Sequence, residues 1–542
     1  MSSIITRQRL SLLRRSTLVF LCLCLLMPLS AGASGVSQVP THMRVAMIVS
    51  PDMQLYPLRV MDRDAVSLLN LVYDGLYTLD DNRIPQPNLV EDVTVLAGGL
   101  TWLFTIREGV YFHDGRELTA HDVVATMDAI KAIADASEDP TQRGLYCTVP
   151  EVCASWSADD ARTLRIQAAR ANYGLLYALT FPVLQAQSAM NPSPPGTGPY
   201  RIDYYAPGDT LWLSGNQNWF KGVAPHISSI TADWYANADD ALNAYAAEEV
   251  DIVMTRSTSA LRYRGTLNTL SNAYDYSTRQ LECLLINLGV TQYDLDDLKM
   301  RQAVSHAIDR SRLITAVYQG MVTAADSLQP PGFFLSYEGS MPSYNYSITA
   351  ANAILDELGW QLRDEQNYRY KRLEDGERQL VLRLGYYDEA GSALRKDAAN
   401  QIAEMLRAVG IRVRIYAYEF TSAMPKLTIG DYDLFLGAIN FDVVPDPYFL
   451  LHSSKTLYYN GYRSSTMGDK LAALRKAEDT SDMEAMQTAF QNAWYGIQQQ
   501  AAEDLPLLPL YWRNGIVLTR YPYSSIRDIR EFELLKSIEQ YK

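Results

Sequence analysis

The sequence has few of the residues and patterns on which most metal sites and catalytic sites depend. Its six histidines lie far apart, without the short spacings typical of metal ligands: His42, His113, His121, His226, His306 and His452. It contains no G-x-S-x-G nucleophile elbow, no G-x-x-x-x-G-K phosphate loop and no H-E-x-x-H helix. Acidic pairs such as Asp80-Asp81 are typical of turns and helix starts rather than of acid/base dyads. We therefore predict a protein that is not an enzyme, with no catalytic residue, no metal ligand and no cofactor.

The chain has fewer basic residues than acidic residues. The chain has 48 Lys and Arg against 62 Asp and Glu, which gives a formal net charge of −14. A charge of this sign disfavours nucleic acid and anionic membrane surfaces as partners.

Long apolar runs are absent except near the N-terminus. Residues 17–29 are apolar apart from one threonine, four arginines precede them, and Ala31-Gly32-Ala33 offers an A-x-A cleavage site. The run is shorter than the roughly 20 residues that cross a bilayer. We therefore predict a cleaved signal peptide over residues 1–33, with an uncleaved membrane anchor as the alternative. Neither Cys22 nor Cys24 has the context of a lipoprotein signal, so we expect a periplasmic or secreted protein without a lipid anchor.

Cysteine is scarce, and three cysteines would remain after cleavage. Cys147 and Cys153 flank a short segment that contains Pro150, and export makes a disulfide between them a reasonable prediction. Two free thiols are the alternative. Cys283 lies in an apolar run and is predicted to be a small buried side chain.

Residues 101–132 carry the most informative pattern. Trp102, Phe104 and Ile106 alternate toward one face, which predicts a strand. After an Asp-Gly turn, Thr119 has the type and position of a helix N-cap, and apolar residues then recur at helical spacing. The order and wording of this unit resemble the signature of the family 5 extracellular solute-binding proteins. That family includes the dipeptide- and oligopeptide-binding components of ABC importers.

Further landmarks follow in the order of that family. The sequence GTGPY at 196–200 resembles the point where the chain crosses back into the first domain. Residues 298–320 resemble the element that begins the second lobe, and residues 505–512 resemble the segment that returns to the first lobe. Between them, a strand at 380–384, a helix and a strand at 411–415 predict a β-α-β unit with parallel strands.

The resemblance implies an α/β, two-lobed periplasmic-binding-protein fold of the large class, with an extra domain inserted in the first lobe. The expected divisions are a signal peptide (1–33), the first lobe (34–75), the inserted domain (76–195), the first lobe again (196–285), the second lobe (286–505) and the return segment of the first lobe (506–542). Closure of the lobes around a ligand is implied as well.

A ligand-binding site is expected around residues 440–447, which resemble the family's D-x-x-D-P loop. In peptide-binding relatives the first aspartate of that loop pairs with the α-ammonium of the peptide. Here strict register places Val443 at that position, and a bulge at the strand end would let Asp442 take the role. The alternative is that Asp442 is a solvated loop residue and that the ligand has no free amine. The predicted ligand-binding residues are Asp442, Asn440, Phe441, Asp52, Tyr386 and Trp512.

The resemblance implies the substrate-binding component of an ABC importer. Its expected partners are a small peptide or peptide-like solute and the ABC permease with its ATPases, and a monomer is expected. Nickel complexes, haem and sugars are other ligands of the family. Two alternative functions stay open at this point, an exported sensory or docking protein without transport and an exported hydrolase on an α/β scaffold.

Overall fold

The computed structural model describes residues 40–50, 52–136, 143–189, 191–222, 224–264, 271–363, 367–374, 376–389, 392–453, 460–476, 481–522 and 529–541. The predicted signal peptide at 1–33 lies outside these residues. Within the described ranges, no helix is both long enough and apolar enough to cross a membrane.

The chain alternates strands and helices along its length. The strands are β1 His42–Ile48, β2 Tyr77–Leu79, β3 Pro85–Pro87, β4 Val90–Leu96, β5 Thr101–Ile106, β6 Cys153–Ala158, β7 Thr163–Ala168, β8 Tyr200–Ala206, β9 Thr210–Gly215, β10 Ser229–Tyr235, β11 Ile252–Thr255, β12 Asn272–Ile286, β13 Val322–Ala324, β14 Gln361–Arg363, β15 Tyr368–Leu373, β16 Gly376–Gln379, β17 Val381–Tyr387, β18 Arg412–Tyr418, β19 Leu434–Asn440 and β20 Leu507–Thr519. The helices are α1 Arg63–Leu69, α2 Ala120–Asp135, α3 Val149–Val152, α4 Leu175–Ala178, α5 Ala238–Ala246, α6 Leu298–Ala307, α7 Arg310–Arg312, α8 Ile348–Glu357, α9 Leu394–Ala408, α10 Phe420–Ile429, α11 Tyr448–Leu451, α12 Ser465–Arg475 and α13 Met483–Asp504.

One eleven-stranded sheet runs through the molecule. Its order is β18-β17-β19-β12-β20-β11-β1-β10-β9-β8, and β13 pairs with β20 at the side. We call β1 and β8–β11 the strands of the first lobe, β17–β19 the strands of the second lobe, and β12 and β20 the hinge strands. The hinge strands lie between the two lobes and pair with strands of both.

Each lobe has its own hydrophobic core. In the first lobe, apolar residues such as Ala46 and Leu242 pack with Ile516 of a hinge strand. In the second lobe, Leu382 and Ile402 belong to a larger buried cluster. Two cores on one mixed sheet confirm the predicted two-lobed α/β fold, whereas the exact domain limits stay a prediction.

Several local predictions are confirmed. Strands β17 and β18 are parallel and are joined by α9, as the β-α-β pattern predicts. Helix α2 begins with a capping box in which the Asp122 carboxylate accepts a hydrogen bond from Thr119 N at 2.9 Å. A similar cap occurs at the start of α7, where the Asp309 side chain accepts from Arg312 N at 3.0 Å.

The strand at the start of the signature lies in a second sheet, of order β4-β5-β7-β6. This sheet is tied to the GTGPY segment, because His113 N donates to Gly196 O at 2.8 Å. Gly196 packs so closely on the first lobe that a Cβ there would stand 1.9 Å from Val72 O. Only glycine fits at this crossing, so steric contact with the first lobe explains why the GTGPY segment begins with glycine.

Candidate functional site

The hinge strands carry an irregularity midway along their length. The pairing of β12 with β20 shifts register between Ser277 and Leu281. Just before the shift, the Tyr276 ring lies on Gly515, where a Cβ would stand 2.1 Å from the ring carbon Cζ. The regular ladder of the two hinge strands is therefore interrupted midway, between the strands of the two lobes.

Strand ends of both lobes converge on this hinge. Through β11 and β20, the register places Ile48, the last residue of β1, level with Asp275. Through β19, the register places Tyr387, the last residue of β17, level with Cys283. Crevices at the carboxyl ends of parallel strands are the usual ligand sites of open α/β sheets. Residues 275–283 therefore form the floor of the candidate site.

A buried ion network lies at the second-lobe side of the floor. The Glu282 carboxylate accepts from Arg395 Nη2 at 2.7 Å, and the two side chains are 0% and 1% exposed. The Arg395 guanidinium also stands 3.8 Å from the centroid of the Tyr387 ring. Arg513 Nη1 lies 3.7 Å from Glu282 Oε1, and Glu389 Oε2 lies 3.7 Å from Arg395 Nη1. Burial is the largest single effect on Arg395 and would lower its pKa, but Glu282, Tyr387 and Glu389 together outweigh burial, so the pKa of Arg395 is raised.

Acidic residues at the start of α1 lie at the first-lobe side of the floor. The Asp64 carboxylate accepts from Ile48 N at 3.0 Å and from Arg63 Nε at 3.0 Å. Asp62 caps the helix, and burial together with the charge of Asp64 raises the pKa of Asp62 to about 6. The Arg63 guanidinium lies 5.9 Å from the centroid of the Tyr276 ring. These contacts fix the end of β1 and the start of α1 over the floor.

Asp442 lies near the end of β19, half-buried, and its Oδ1 accepts from Val443 N at 2.6 Å. Burial raises the pKa of Asp442, while Arg279, the Val443 amide and Arg143 oppose that effect. The bulge considered for this strand is not seen in its paired part, because β19 pairs with β12 without a register shift up to Asn440. Asp442 stays a predicted amine anchor, but the paired residues show no bulge to move it into the register position that falls on Val443.

The predicted residues beside Asp442 form a small aromatic contact. The ring centroids of Phe441 and Trp512 are 5.8 Å apart, and both side chains are buried. Trp512 Nε1 has no hydrogen-bond partner among the described residues. Asn440 is exposed at the end of β19, level with Gln280 of the floor. The structure therefore brings three of the predicted residues to the hinge together with Asp442.

The two other predicted residues lie elsewhere. Tyr386 is 4% exposed and belongs to the core of the second lobe. Asp52 is exposed in the segment after β1, where its carboxylate accepts from Ser50 Oγ. Ligand contact by either residue stays a prediction, and the packing of Tyr386 does not favour it.

Sequence reasoning missed two charged residues of the site, Glu282 of the floor and Arg395, which contacts it from the second lobe. Glu282 follows Leu281 in a strand that is otherwise apolar up to Ile286. A single acid inside such a strand is a signal, because a buried charge needs a partner. Arg395 lies in the first turn of α9, the helix that follows β17. The predicted β-α-β unit places this turn at the carboxyl end of a parallel strand, where ligand sites are common.

The predicted disulfide is wrong, because Cys147 and Cys153 are both free thiols. The segment between them is not an open loop, since Val149–Val152 forms a helical turn and Cys153 begins β6 as a buried residue. Burial raises the pKa of Cys147 to about 11, with a further contribution from the charge of Asp442. Cys283 is free and buried, as predicted. Within the part of the chain that the structure describes, no group of three or more His, Cys, Asp or Glu side chains could hold a metal ion.

Known proteins share both sequence and fold with this chain. The oligopeptide-binding protein AppA of Bacillus subtilis (strain 168) is 24% identical over 497 residues, which are 87% of each chain. The glutathione-binding protein GsiB of Escherichia coli (strain K12) is 25% identical over 318 residues, or 56% of this chain and 59% of GsiB.

Solved structures resemble the whole fold. NikA from Brucella suis, in complex with Fe(III)-EDTA, superposes with a TM-score of 0.77 at 20% identity, over 93% of this chain and 100% of NikA. AppA from Bacillus subtilis, in complex with a nonapeptide, superposes with a TM-score of 0.65 at 22% identity, over 92% of this chain and 98% of AppA.

The sequence profile of the family described as "Bacterial extracellular solute-binding proteins, family 5 Middle" matches residues 85–460. This match covers well over half of the chain and includes the second sheet, the hinge strand β12 and the second lobe up to Asn460. The chain therefore belongs to the bacterial extracellular solute-binding proteins of family 5.

Proposed function

We propose that this solute-binding protein captures a peptide-like solute at the hinge and delivers it to the permease of an ABC importer. The observation that carries the proposal is the convergence of strand ends from both lobes on residues 275–283. A solute on that floor contacts both lobes at once, so its binding energy favours the closed arrangement. A closed, loaded receptor is the form that a permease has to distinguish from an empty one.

A peptide is favoured by the relatives and by the chemistry of the site. AppA of Bacillus subtilis is named for oligopeptides and GsiB for glutathione, which is itself a small peptide. Other similar structures hold Ni(L-His) or Fe(III)-EDTA. In this chain a carboxylate at Asp442 and arginines at the hinge provide opposite charges, which suit the two ends of a zwitterionic peptide.

The proposal includes a place and a mode of action. The basic, apolar and A-x-A segments of residues 1–33 support export with cleavage, so the protein would work in the periplasm or outside the cell as a monomer. Binding and release, without catalysis, is the whole of its proposed activity.

Native mass spectrometry of protein purified without denaturation tests this function. We expect an additional mass that fragments as one or more peptides. A bound metal chelate or sugar would contradict the peptide proposal. Protein that carries no ligand, and takes up none from a peptide mixture, would contradict it as well.

A further inference from the structure

Three hydrogen-bond donors meet at the hinge with too few acceptors. Arg513 is 6% exposed, and its Nη1 has no hydrogen-bond partner among the described residues. Tyr276 is 2% exposed, and its hydroxyl also lacks a partner among those residues. Buried donors without acceptors are rare in folded proteins, and each one calls for an explanation.

Arg256 adds a cation from the first lobe. It follows β11, and its Nη1 donates to the neutral Gln280 amide oxygen at 2.8 Å. Within the described residues, no carboxylate oxygen forms an ion pair with it. Burial lowers the pKa of Arg256, and the charges of Arg63 and Arg513 lower it further. The strand register places these residues together, because Thr255 pairs with Ile516 and Tyr276 pairs with Gly515. Arg256 therefore starts beside Gly515, two residues from Arg513 along β20.

The acids nearby are already engaged with other groups. Glu282 forms its short contact with Arg395 at 2.7 Å and lies farther from Arg513, at 3.7 Å. Glu531 Oε2 accepts from Arg279 N at 2.9 Å. Asp64 is held by Arg63 at 3.0 Å. Among the described residues, the hinge therefore presents the Arg513 Nη1 and Tyr276 hydroxyl groups without a hydrogen-bond acceptor, beside an Arg256 guanidinium that donates to a neutral amide rather than to a carboxylate.

We propose that Arg256, Tyr276 and Arg513 form a subsite for a carboxylate group of the solute. This inference rests on the proposed function and adds the chemical group that the site selects. A carboxylate has two oxygens and about four acceptor positions, so it can accept from all three side chains at once. Asp442, just beyond the end of β19, is left to bind an ammonium.

The subsite also explains how two like charges can stand close together. Arg256 follows β11 and Arg513 lies in β20, and these two strands pair with each other, so the ladder holds both guanidinium groups at the same part of the sheet. A carboxylate between them replaces repulsion by two charge-assisted contacts. Solutes that lack a carboxylate bind without this compensation and are disfavoured.

Three pentapeptide libraries test the subsite and separate two sources of the carboxylate. The first has a free C-terminus and no Asp or Glu, the second has a C-terminal amide and includes Asp and Glu, and the third has a C-terminal amide and no acid. Protein freed of ligand is incubated with each library, and retained peptides are quantified by mass spectrometry. We expect the first or the second library to be retained at least about tenfold better than the third, the range of a charge-assisted hydrogen bond.

Variants assign that preference to named side chains. Arg256 is half-buried, so the Arg256→Gln variant should fold. We expect this variant to lose most of the preference for the libraries that contain a carboxylate. Tyr276→Phe removes one hydroxyl that has no partner, so it should fold and lose about two- to tenfold in retention of the preferred library. Arg414→Gln, an exposed change on β18, is the matched control and should behave like the wild type.

The outcomes separate this inference from the proposed function. Equal retention of all three libraries by the wild type would overturn the subsite and leave peptide binding intact. A preference that survives both Arg256→Gln and Tyr276→Phe would overturn the assignment to these residues. Retention of no library would instead reject the peptide proposal, and the subsite with it.

Discussion

Replacing Arg395 with alanine is expected to lower the free energy of unfolding by about 3–5 kcal/mol, the usual cost of removing one partner from a buried ion pair. Glu282 is 0% exposed and would lose its contact at 2.7 Å. Its other cation, Arg513, stands 3.7 Å away and has a poorer geometry. Urea-induced unfolding of wild type and variant under identical conditions measures the difference.

Two controls show whether burial causes the effect. Lys131 and Asp135 form an exposed pair at 2.7 Å with side chains 52% and 59% exposed, so Lys131→Ala should cost at most about 1 kcal/mol. The double change Glu282→Leu with Arg395→Met should cost less than Arg395→Ala alone, because no charge is left buried without a partner. If Arg395→Ala proves as mild as Lys131→Ala, the ion network does not hold the hinge to the second lobe.

Asp442→Asn is expected to weaken a peptide with a free amine by about 2–5 kcal/mol, the cost of leaving a desolvated charge without its partner. The same change should scarcely affect the N-acetylated form of that peptide, which has no ammonium to pair. Calorimetric titration of both peptides into both proteins measures the four affinities. Equal affinity of wild type and Asp442→Asn for the free peptide would end the assignment of Asp442 as amine anchor.

Stability cannot account for such a loss of affinity. Burial raises the pKa of Asp442 in the folded chain above its ordinary value, so the folded chain binds the proton more tightly than the unfolded chain does. The carboxyl group's contribution to stability is therefore most favourable below the ordinary pKa and declines as the pH rises through the folded pKa. Asparagine cannot ionise, and we expect Asp442→Asn to unfold no more easily than the wild type at neutral pH.

Local sequence patterns predict the fold well because they depend on neighbours in the chain. The alternation and helical spacing from Leu380 to Ile415 appear as β17, α9 and β18. Thr119 and Asp122 stand three residues apart, which is the spacing of a capping box. Such elements need no knowledge of distant parts of the protein.

The site was harder to predict because its partners are far apart in sequence. Glu282 and Arg395 are separated by 113 residues, and Arg395 on its own resembles a solvated helix residue. Tyr386 could have been judged better from alternation, because it shares the face of Leu382 and Leu384 and so points to the core. Tyr387, one residue later, lies on the opposite face against Arg395.

Small-angle X-ray scattering tests the central claim, that two lobes close on a solute at the hinge strands. The protein is freed of ligand and measured alone, and then at saturation with a peptide that native mass spectrometry shows to bind. A smaller radius of gyration in the saturated sample is the predicted result. An identical scattering profile with and without the saturating peptide would contradict closure around a solute at residues 275–283.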